Sequence, residues 1–274
     1  EAPVGAIVPA GPEILTRPGS SAHAASSGAD FVQCPLLNVS SCAFTEDSSK
    51  AGQNFQVAVY NNMAQTRTDH VHVPIGRTSS PPAVFDGELK PVVSQITDLD
   101  PSVRSDASQV QDLAFAVVVP PKGVAVYYVM YQNLPQNAVP AQMSKIRQVM
   151  ANEPVAKISG GDLAMTFDGA SGAMTSIENT KIGFSVNSSI GFVVYNSTVD
   201  NSDDGQSSGA YIFRPSGTLD VLNRGARGLN LTMVSGPVFS EMRQTFSSWL
   251  SLSTRVYEAK AWADLKWRAG PLPI

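Results

Sequence analysis

Short runs of alternating apolar and polar residues recur along the chain from residue 31 onward, and they predict strands rather than helices. The clearest run is residues 55–60, Phe-Gln-Val-Ala-Val-Tyr, in which alternate side chains would point to opposite faces of a sheet. Pro, Gly, Asp and Ser separate the runs, which is typical of a β-sandwich. Further strands are predicted over residues 71–75, 92–96, 113–119 and 124–131.

A second group of strands is predicted after residue 150. Residues 163–167 and 173–177 flank an Asp-Gly-Ala-Ser-Gly turn, so they predict a hairpin. Residues 140–150 carry apolar positions at near-helical spacing, and both a helical turn and a connector between two β-domains are compatible with them. The other predicted strands are residues 191–195, 210–213, 229–234, 246–257 and 261–267.

These patterns predict an all-β chain with three parts. Residues 1–30 are rich in Pro, Ser, Ala and Gly without a periodic pattern, so we expect a flexible or processed arm. Residues 31–150 are expected to form a β-sandwich with a connector, and residues 151–274 a second β-domain. The chain starts at Glu1 without a signal peptide, which leads us to expect a product cut from a longer precursor.

The composition narrows the class of protein. Hydrophobic residues make up 43% of the chain, enough for a buried core, and charged residues only 15%, which is typical of an extracytoplasmic β-protein. The net charge of -4 disfavours nucleic acid as a partner. No apolar run reaches the about 20 residues of a membrane-spanning helix.

Two cysteines and four N-glycosylation sequons indicate the secretory pathway. Cys34 and Cys42 bracket a short loop, and a disulfide across it would stabilise the fold by about 2.5 kcal/mol. Two unpaired buried thiols are the alternative. A sequon inside the loop favours the disulfide, because glycosylation and stable disulfides share a compartment. The sequon asparagines are Asn38, Asn187, Asn196 and Asn230.

Candidate catalytic or metal-binding groups are few. His70 and His72 share a strand face, but zinc needs further ligands and none is evident nearby, which favours a polar strand surface. Residues 200–205 have the oxygen spacing of a calcium loop, but its twelfth position is Tyr211 instead of Glu, which favours an acidic turn. No spacing rule selects a glycosidase pair among the remaining candidate carboxylates, Asp162, Asp168 and Asp264.

A Gly- and Ser-rich stretch leads directly into an aromatic segment at residues 205–215. The predicted strand at 210–213 ends before Pro215 and places Tyr211 at its start, from where the phenol could reach a neighbouring cleft. Trp249, Trp262, Trp267 and Tyr257 could join Tyr211 in a sugar-stacking platform, although core or sheet packing is the usual role of Trp.

Residues 208–215, Ser-Gly-Ala-Tyr-Ile-Phe-Arg-Pro, resemble a segment of glycoside hydrolase family 38, especially of its lysosomal α-mannosidases. Further blocks resemble the family in the same order, so the likeness covers residues 31–274. These blocks are the Cys34–Cys42 loop with its internal sequon, residues 55–61, Thr-Phe-Asp at 166–168 with Gly172, residues 192–196, and Trp267 with Gly-Pro-Leu-Pro at 270–273.

The resemblance implies a zinc-dependent, retaining exo-α-mannosidase that trims mannose from N-glycans in a lysosomal or vacuolar lumen, with secretion as the alternative. It implies a β-sandwich followed by the first part of a galactose-mutarotase-like supersandwich. The family's zinc ligands and catalytic carboxylates belong to preceding domains, so none carries over to this chain. Tyr211 matches a tyrosine that hydrogen-bonds the hydroxyls of bound mannose.

From this resemblance we expect one processed chain, inactive alone, that associates with the other chains of its precursor and forms a homo-oligomer. Two other functions are compatible with the sequence. A non-catalytic, secreted glycan-binding module would expose Trp249 or Trp262. An aldose mutarotase would need a His or carboxylate pair lining the sheet, and the three histidines of the chain make this the weakest alternative.

Overall fold

The structure, a computed structural model, describes residues 32–198, 205–220, 229–258 and 260–272. The predicted arm at residues 1–30 and positions 200–204 of the calcium-like loop lie outside the described residues. Antiparallel sheets dominate the described chain, which confirms the all-β class. The chain divides into two compact units, residues 1–145 with 235–239 and residues 146–234 with 240–274. The sequence-based boundaries at 30/31 and 150/151 stay predictions.

The first unit contains two four-stranded sheets, with strand orders β1-β7-β3-β4 and β2-β6-β5-β8. Neighbouring strands pair antiparallel, while β5 and β8 pair parallel. Its elements are a 3-10 helix Leu37–Val39, α1 Ala43–Lys50, β1 Phe55–Tyr60, β2 Arg67–Gly76, β3 Ala83–Phe85, β4 Pro91–Val92, β5 Ser94–Asp98, a 3-10 helix Ala107–Gln109, β6 Val110–Val119, β7 Val124–Met130 and β8 Gln142–Met143.

The core of the first unit lies between these two sheets. In β2 and β6, Val71 pairs with Phe115 and Val73 with Leu113, so apolar side chains of both strands face the same side. They join Val57 of β1 in one buried cluster. The predicted strand at 55–60 is confirmed to the residue.

Helix α1 corrects the expectation of a first unit without helices. At its start the Cys42 N–H donates to the Glu46 carboxylate at 3.0 Å. At its end Gly52 has φ +63°, while the Gln53 N–H donates to the Ser48 carbonyl and the Gly52 N–H to the Ser49 carbonyl. These two bonds satisfy carbonyl groups of the last turn, and the left-handed backbone at the end favours Gly.

Cys34 and Cys42 form the predicted disulfide, with their Cα atoms 5.2 Å apart. Both are buried in the core of the first unit. The 3-10 helix between them carries Asn38, whose side chain is exposed, as are those of the other three sequon asparagines. In the described part of the chain, no helix has the length and apolar character needed to cross a membrane.

The second unit has a four-stranded sheet β10-β11-β12-β13, a five-stranded sheet β19-β18-β17-β16-β9 and a separate two-stranded hairpin, β14-β15. Buried side chains from both larger sheets, among them Phe167 and Val256, form its core. Its strands are β9 Lys145–Gln148, β10 Val155–Gly160, β11 Leu163–Asp168, β12 Met174–Asn179, β13 Phe184–Asn187, β14 Val193–Ser197, β15 Pro215–Asp220, β16 Asn230–Ser235, β17 Phe239–Ser247, β18 Leu250–Tyr257 and β19 Ala263–Ala269.

Strands β11 and β12 form the predicted hairpin. In its turn the Asp168 carboxylate accepts hydrogen bonds from the Ser171 N–H and hydroxyl, both at 2.6 Å. These bonds stabilise the charged carboxylate and lower the pKa of Asp168. Gly172 takes φ +73°, a conformation that favours glycine.

The structure decides one open alternative and corrects one expectation. Of the helical turn and the connector that residues 140–150 allowed, the helical turn is absent, and these residues include the short strands β8 and β9, both of which join sheets. The single strand predicted over 246–257 is two strands, β17 and β18, with a turn at residues 248–249. In both cases pairing with neighbouring strands, rather than the apolar pattern along the chain, determines where the strands begin and end.

Candidate functional site

The β14-β15 hairpin carries the residue that the sequence singled out. Val193 pairs with Asp220 and Asn196 with Gly217, and the register shifts at the next step, where Ser197 pairs with Pro215. Pro215 therefore begins a strand instead of ending one. Proline is tolerated at the first position of a strand, because its missing N–H removes little of the hydrogen bonding between the strands there.

Between the two strands, residues 208–214 form a small turn that we call the Tyr211 turn. The Gly209 N–H donates to the Ile212 carbonyl at 3.0 Å, and the Ile212 N–H donates back to the Gly209 carbonyl at 3.3 Å. Ala210 and Tyr211 are the two residues at its apex. The strand predicted at 210–213 is thus wrong, because the chain closes on itself after two residues instead of pairing with a longer strand.

The Tyr211 side chain is 100% exposed, more than any other large apolar or aromatic residue described. In the same hairpin the Phe213 and Tyr195 rings contact edge-to-face with centroids 5.1 Å apart. Phe213 is 74% exposed. A phenol can both donate and accept a hydrogen bond, so the apex offers a bifunctional polar group.

The other sequence candidates do not join this turn. His70 is buried, and the His72 Nδ1 lies 2.7 Å from the Asp112 Oδ2 on the neighbouring strand β6. Among the described residues, no group of three or more His, Cys, Asp or Glu side chains could hold a metal ion. The described residues therefore provide no zinc site, and the resemblance assigns the zinc ligands to preceding domains.

The three candidate carboxylates have structural partners. Asp162 lies 3.8 Å from the Lys181 ammonium, and Asp168 is bound within its own turn. Asp264 lies opposite Arg255 in the β18-β19 register, and its carboxylate interacts with the Tyr257 hydroxyl. Nothing in these contacts selects a pair for glycosidic chemistry.

The aromatic platform considered from the sequence is only partly present. Tyr257 is buried, so its ring has no face available for a sugar, and Trp249 is half-buried. In this chain Trp262 and Trp267 are 55% and 65% exposed, so of the expected core or sheet packing, core packing does not apply to them. The Lys260 ammonium lies over the Trp262 ring at 5.2 Å.

Sequence reasoning missed a buried charge cluster on β17 and β18. The Glu241 carboxylate accepts hydrogen bonds from Arg255 Nη2 at 3.2 Å, from Arg243 Nη2 at 3.4 Å and from the Ser253 hydroxyl. Burial alone would raise the pKa of Glu241, but the two guanidinium groups hold it below its usual value. The sequence signal is the Glu-x-Arg spacing at 241 and 243, which places both side chains on one strand face.

Comparison with known proteins finds relatives along most of this chain. A sequence profile of the glycosyl hydrolases family 38 C-terminal domain matches residues 158–270. An α-mannosidase of Arabidopsis thaliana is 31% identical over an alignment that covers 94% of this chain, and the lysosomal α-mannosidase of Mus musculus is 30% identical over 89%. Residues 158–270 thus match the C-terminal domain of glycosyl hydrolase family 38, and most of the chain is similar to α-mannosidases.

The alignments with α-mannosidases cover most of this chain but only part of those relatives. The α-mannosidase of Canavalia ensiformis, 26% identical, aligns with 98% of this chain. The alignments span 26%, 23% and 28% of the Arabidopsis, mouse and Canavalia proteins, about a quarter of their length. Most of the residues of a family 38 enzyme thus have no counterpart here.

Proposed function

We propose that this chain is one segment of a zinc-dependent, retaining exo-α-mannosidase that removes α-linked mannose from N-glycans. In this proposal the segment contributes its β-scaffold and one substrate contact, Tyr211. The zinc ligands and the catalytic carboxylates belong to the rest of the enzyme. The isolated chain is then inactive.

The fully exposed phenol of Tyr211 at the apex of a closed turn is the observation that carries the proposal. A polar aromatic side chain held clear of its own scaffold is suited to a hydrogen bond with a group outside this chain. Similarity to α-mannosidases supplies the substrate class. Mannose hydroxyls can use both the donor and the acceptor capacity of the phenol.

A Tyr211→Phe variant of the assembled enzyme tests this role. We expect kcat/KM for an aryl α-mannoside to fall about tenfold, because one hydrogen bond to the sugar contributes roughly 0.5–1.5 kcal/mol and tenfold corresponds to about 1.4 kcal/mol. The zinc content and the melting temperature should not change.

The matched control is Tyr195→Phe, which removes a hydroxyl from the same hairpin and keeps the ring contact with Phe213. It should retain wild-type kinetics. Wild-type kinetics of Tyr211→Phe would contradict the proposal, as would a loss of zinc. Zinc-dependent hydrolysis by the isolated chain would show that the catalytic groups are misassigned.

The proposal includes the compartment and the partners. The exposed sequon asparagines and the disulfide support a lysosomal or vacuolar lumen, with secretion as the alternative. Native mass spectrometry should find this chain bound to other processed chains of the same precursor, and it would also reveal a homo-oligomer. Digestion with an N-glycosidase should lower the mass of the chain.

The exposure of Trp262 and Trp267 favours a second candidate, a glycan-binding module without catalysis. Such a module would bind mannose oligosaccharides as a purified single chain. Trp262→Ala would then weaken that binding, while Tyr211→Phe would not. Calorimetry with a mannose oligosaccharide separates the two candidates.

A further inference from the structure

The Tyr211 turn is closed at its neck by two side-chain hydroxyl groups. The Arg214 carbonyl accepts hydrogen bonds from the Thr198 hydroxyl at 2.6 Å, from the Thr198 N–H at 3.1 Å and from the Ser208 hydroxyl. The Ser208 Oγ in turn accepts the Arg214 N–H at 3.2 Å. Ser208 therefore bonds both the N–H and the carbonyl of one residue across the neck.

Two further bonds brace the same neck, and another pair closes the apex. The Ser208 N–H donates to the Thr198 carbonyl at 3.2 Å, which ties the incoming chain to the end of β14. The Arg214 guanidinium donates to the Gln206 carbonyl at 3.2 Å. Above them, the Gly209–Ile212 pair closes the apex. The turn thus holds its shape through hydrogen bonds.

Among the residues that the structure describes, none packs against the Tyr211 ring, because Tyr211 is fully exposed. Its position depends on the backbone of the turn, and the backbone depends on the neck. A displacement of about 1 Å at a substrate-positioning group can lower a rate about a hundredfold. Loss of the hydrogen bonds at the neck would therefore weaken the contact between Tyr211 and the sugar.

We propose that Ser208 and Thr198 are positioning residues for Tyr211. Their hydroxyls hold the Arg214 backbone and thereby aim the phenol at the substrate. This inference rests on the proposed role of Tyr211 as a mannose contact. Neither hydroxyl is assigned any contact with the sugar.

The test is a double-mutant cycle in the assembled enzyme with an aryl α-mannoside as substrate. Ser208→Ala should lower kcat/KM about three- to tenfold, the effect of losing one or two ordinary hydrogen bonds. Most of this loss should appear as a raised KM, and Tyr211→Phe should show the same pattern. Ser208→Thr keeps the hydroxyl and should restore most of the activity. In a Tyr211→Ala background, Ser208→Ala should have no further effect.

Thr198 provides an independent variant, should Ser208→Ala fail to fold. Thr198→Val removes the second hydroxyl but also destroys the sequon at Asn196. Asn196→Gln removes the sequon alone and should keep wild-type kinetics. Thr198→Ser keeps both the hydroxyl and the sequon, and it should also retain activity.

The outcomes separate this inference from the function on which it rests. If Tyr211→Ala lowers kcat/KM but Ser208→Ala and Thr198→Val do not, only the positioning role is overturned. Fully additive losses in the double variants would overturn it as well. Wild-type kinetics of Tyr211→Ala would overturn the proposed function and the inference together.

Discussion

Replacing Glu241 with Gln removes one negative charge from the interior of the second unit and nearly preserves the side-chain shape. Glu241 is 3% exposed, and its carboxylate is the shared acceptor for two guanidinium groups on the same sheet face. The amide can still accept hydrogen bonds. It cannot balance the charge of Arg243 and Arg255, both of which are also buried.

The expected loss is about 3 kcal/mol of unfolding free energy, the lower end of the about 3–5 kcal/mol found when one partner of a buried ion pair is removed. The lower end applies because both arginines have further contacts. Because the Glu241 carboxylate is buried, solvent and salt screen its attraction to the two guanidinium groups only weakly. Urea unfolding of the purified protein measures the change.

The matched control is Glu178→Gln, which removes an exposed ion pair of the same unit, Lys157 Nζ to Glu178 Oε2 at 2.7 Å. Both side chains are at least one-third exposed, so this pair should contribute at most about 1 kcal/mol. Equal, small losses for the two variants would refute the reasoning that burial makes the Glu241 charge important.

The same cluster sets a pH dependence. The folded pKa of Glu241 lies below its unfolded value of about 4.3, so the unfolded state binds the proton first as the pH falls. The stabilisation by the carboxylate is fully present above about pH 4.3 and is lost as the pH falls toward the folded pKa. The stability difference between wild type and Glu241→Gln should therefore shrink on acidification below pH 4.3, and an unchanged difference would refute this assignment.

Two further predictions concern the first unit. Cys34→Ser/Cys42→Ser should lower the unfolding free energy by about 2.5 kcal/mol and make it insensitive to a reducing agent, because the disulfide closes a short loop. Asn61→Ala should lower the unfolding free energy, measured in urea, by about 2–3 kcal/mol, because the buried amide donates to the Val119 and Pro120 carbonyls at 3.2 and 3.0 Å. The control is Asn62→Ala at the exposed neighbouring position, which should change the unfolding free energy by less than about 0.5 kcal/mol. Equal effects of the two substitutions would contradict the role of Asn61.

Helix α1 shows why some elements escape sequence reasoning. Its buried face carries Thr45, Glu46, Ser48 and Ser49, so no apolar stripe marks it. These polar groups can be buried because they find distant partners, such as the Pro74 carbonyl for the Thr45 hydroxyl at 2.6 Å. The local signals available were an acidic residue near the helix start and Gly52 just beyond its end.

The sequence by itself determined the all-β class, most strand positions, the β11-β12 hairpin, the Cys34–Cys42 pair and the family resemblance. These features depend on side-chain alternation, turn residues and short-range spacing, which act within a few residues of each other. Tyr211 was also singled out from sequence, but on the assumption of a strand.

Only the tertiary structure decided what holds Tyr211 and what surrounds Glu241. The neck of the Tyr211 turn joins Thr198 to Arg214, and the buried cluster joins β17 to β18. Such contacts depend on strand register and on the closure of a loop, which residue types along the chain do not specify. Tertiary hydrogen bonds thus explain why residues 208–214 form an exposed turn where a strand was expected. Burial explains why Glu241, Arg243 and Arg255 form an ion cluster that their residue types alone did not indicate.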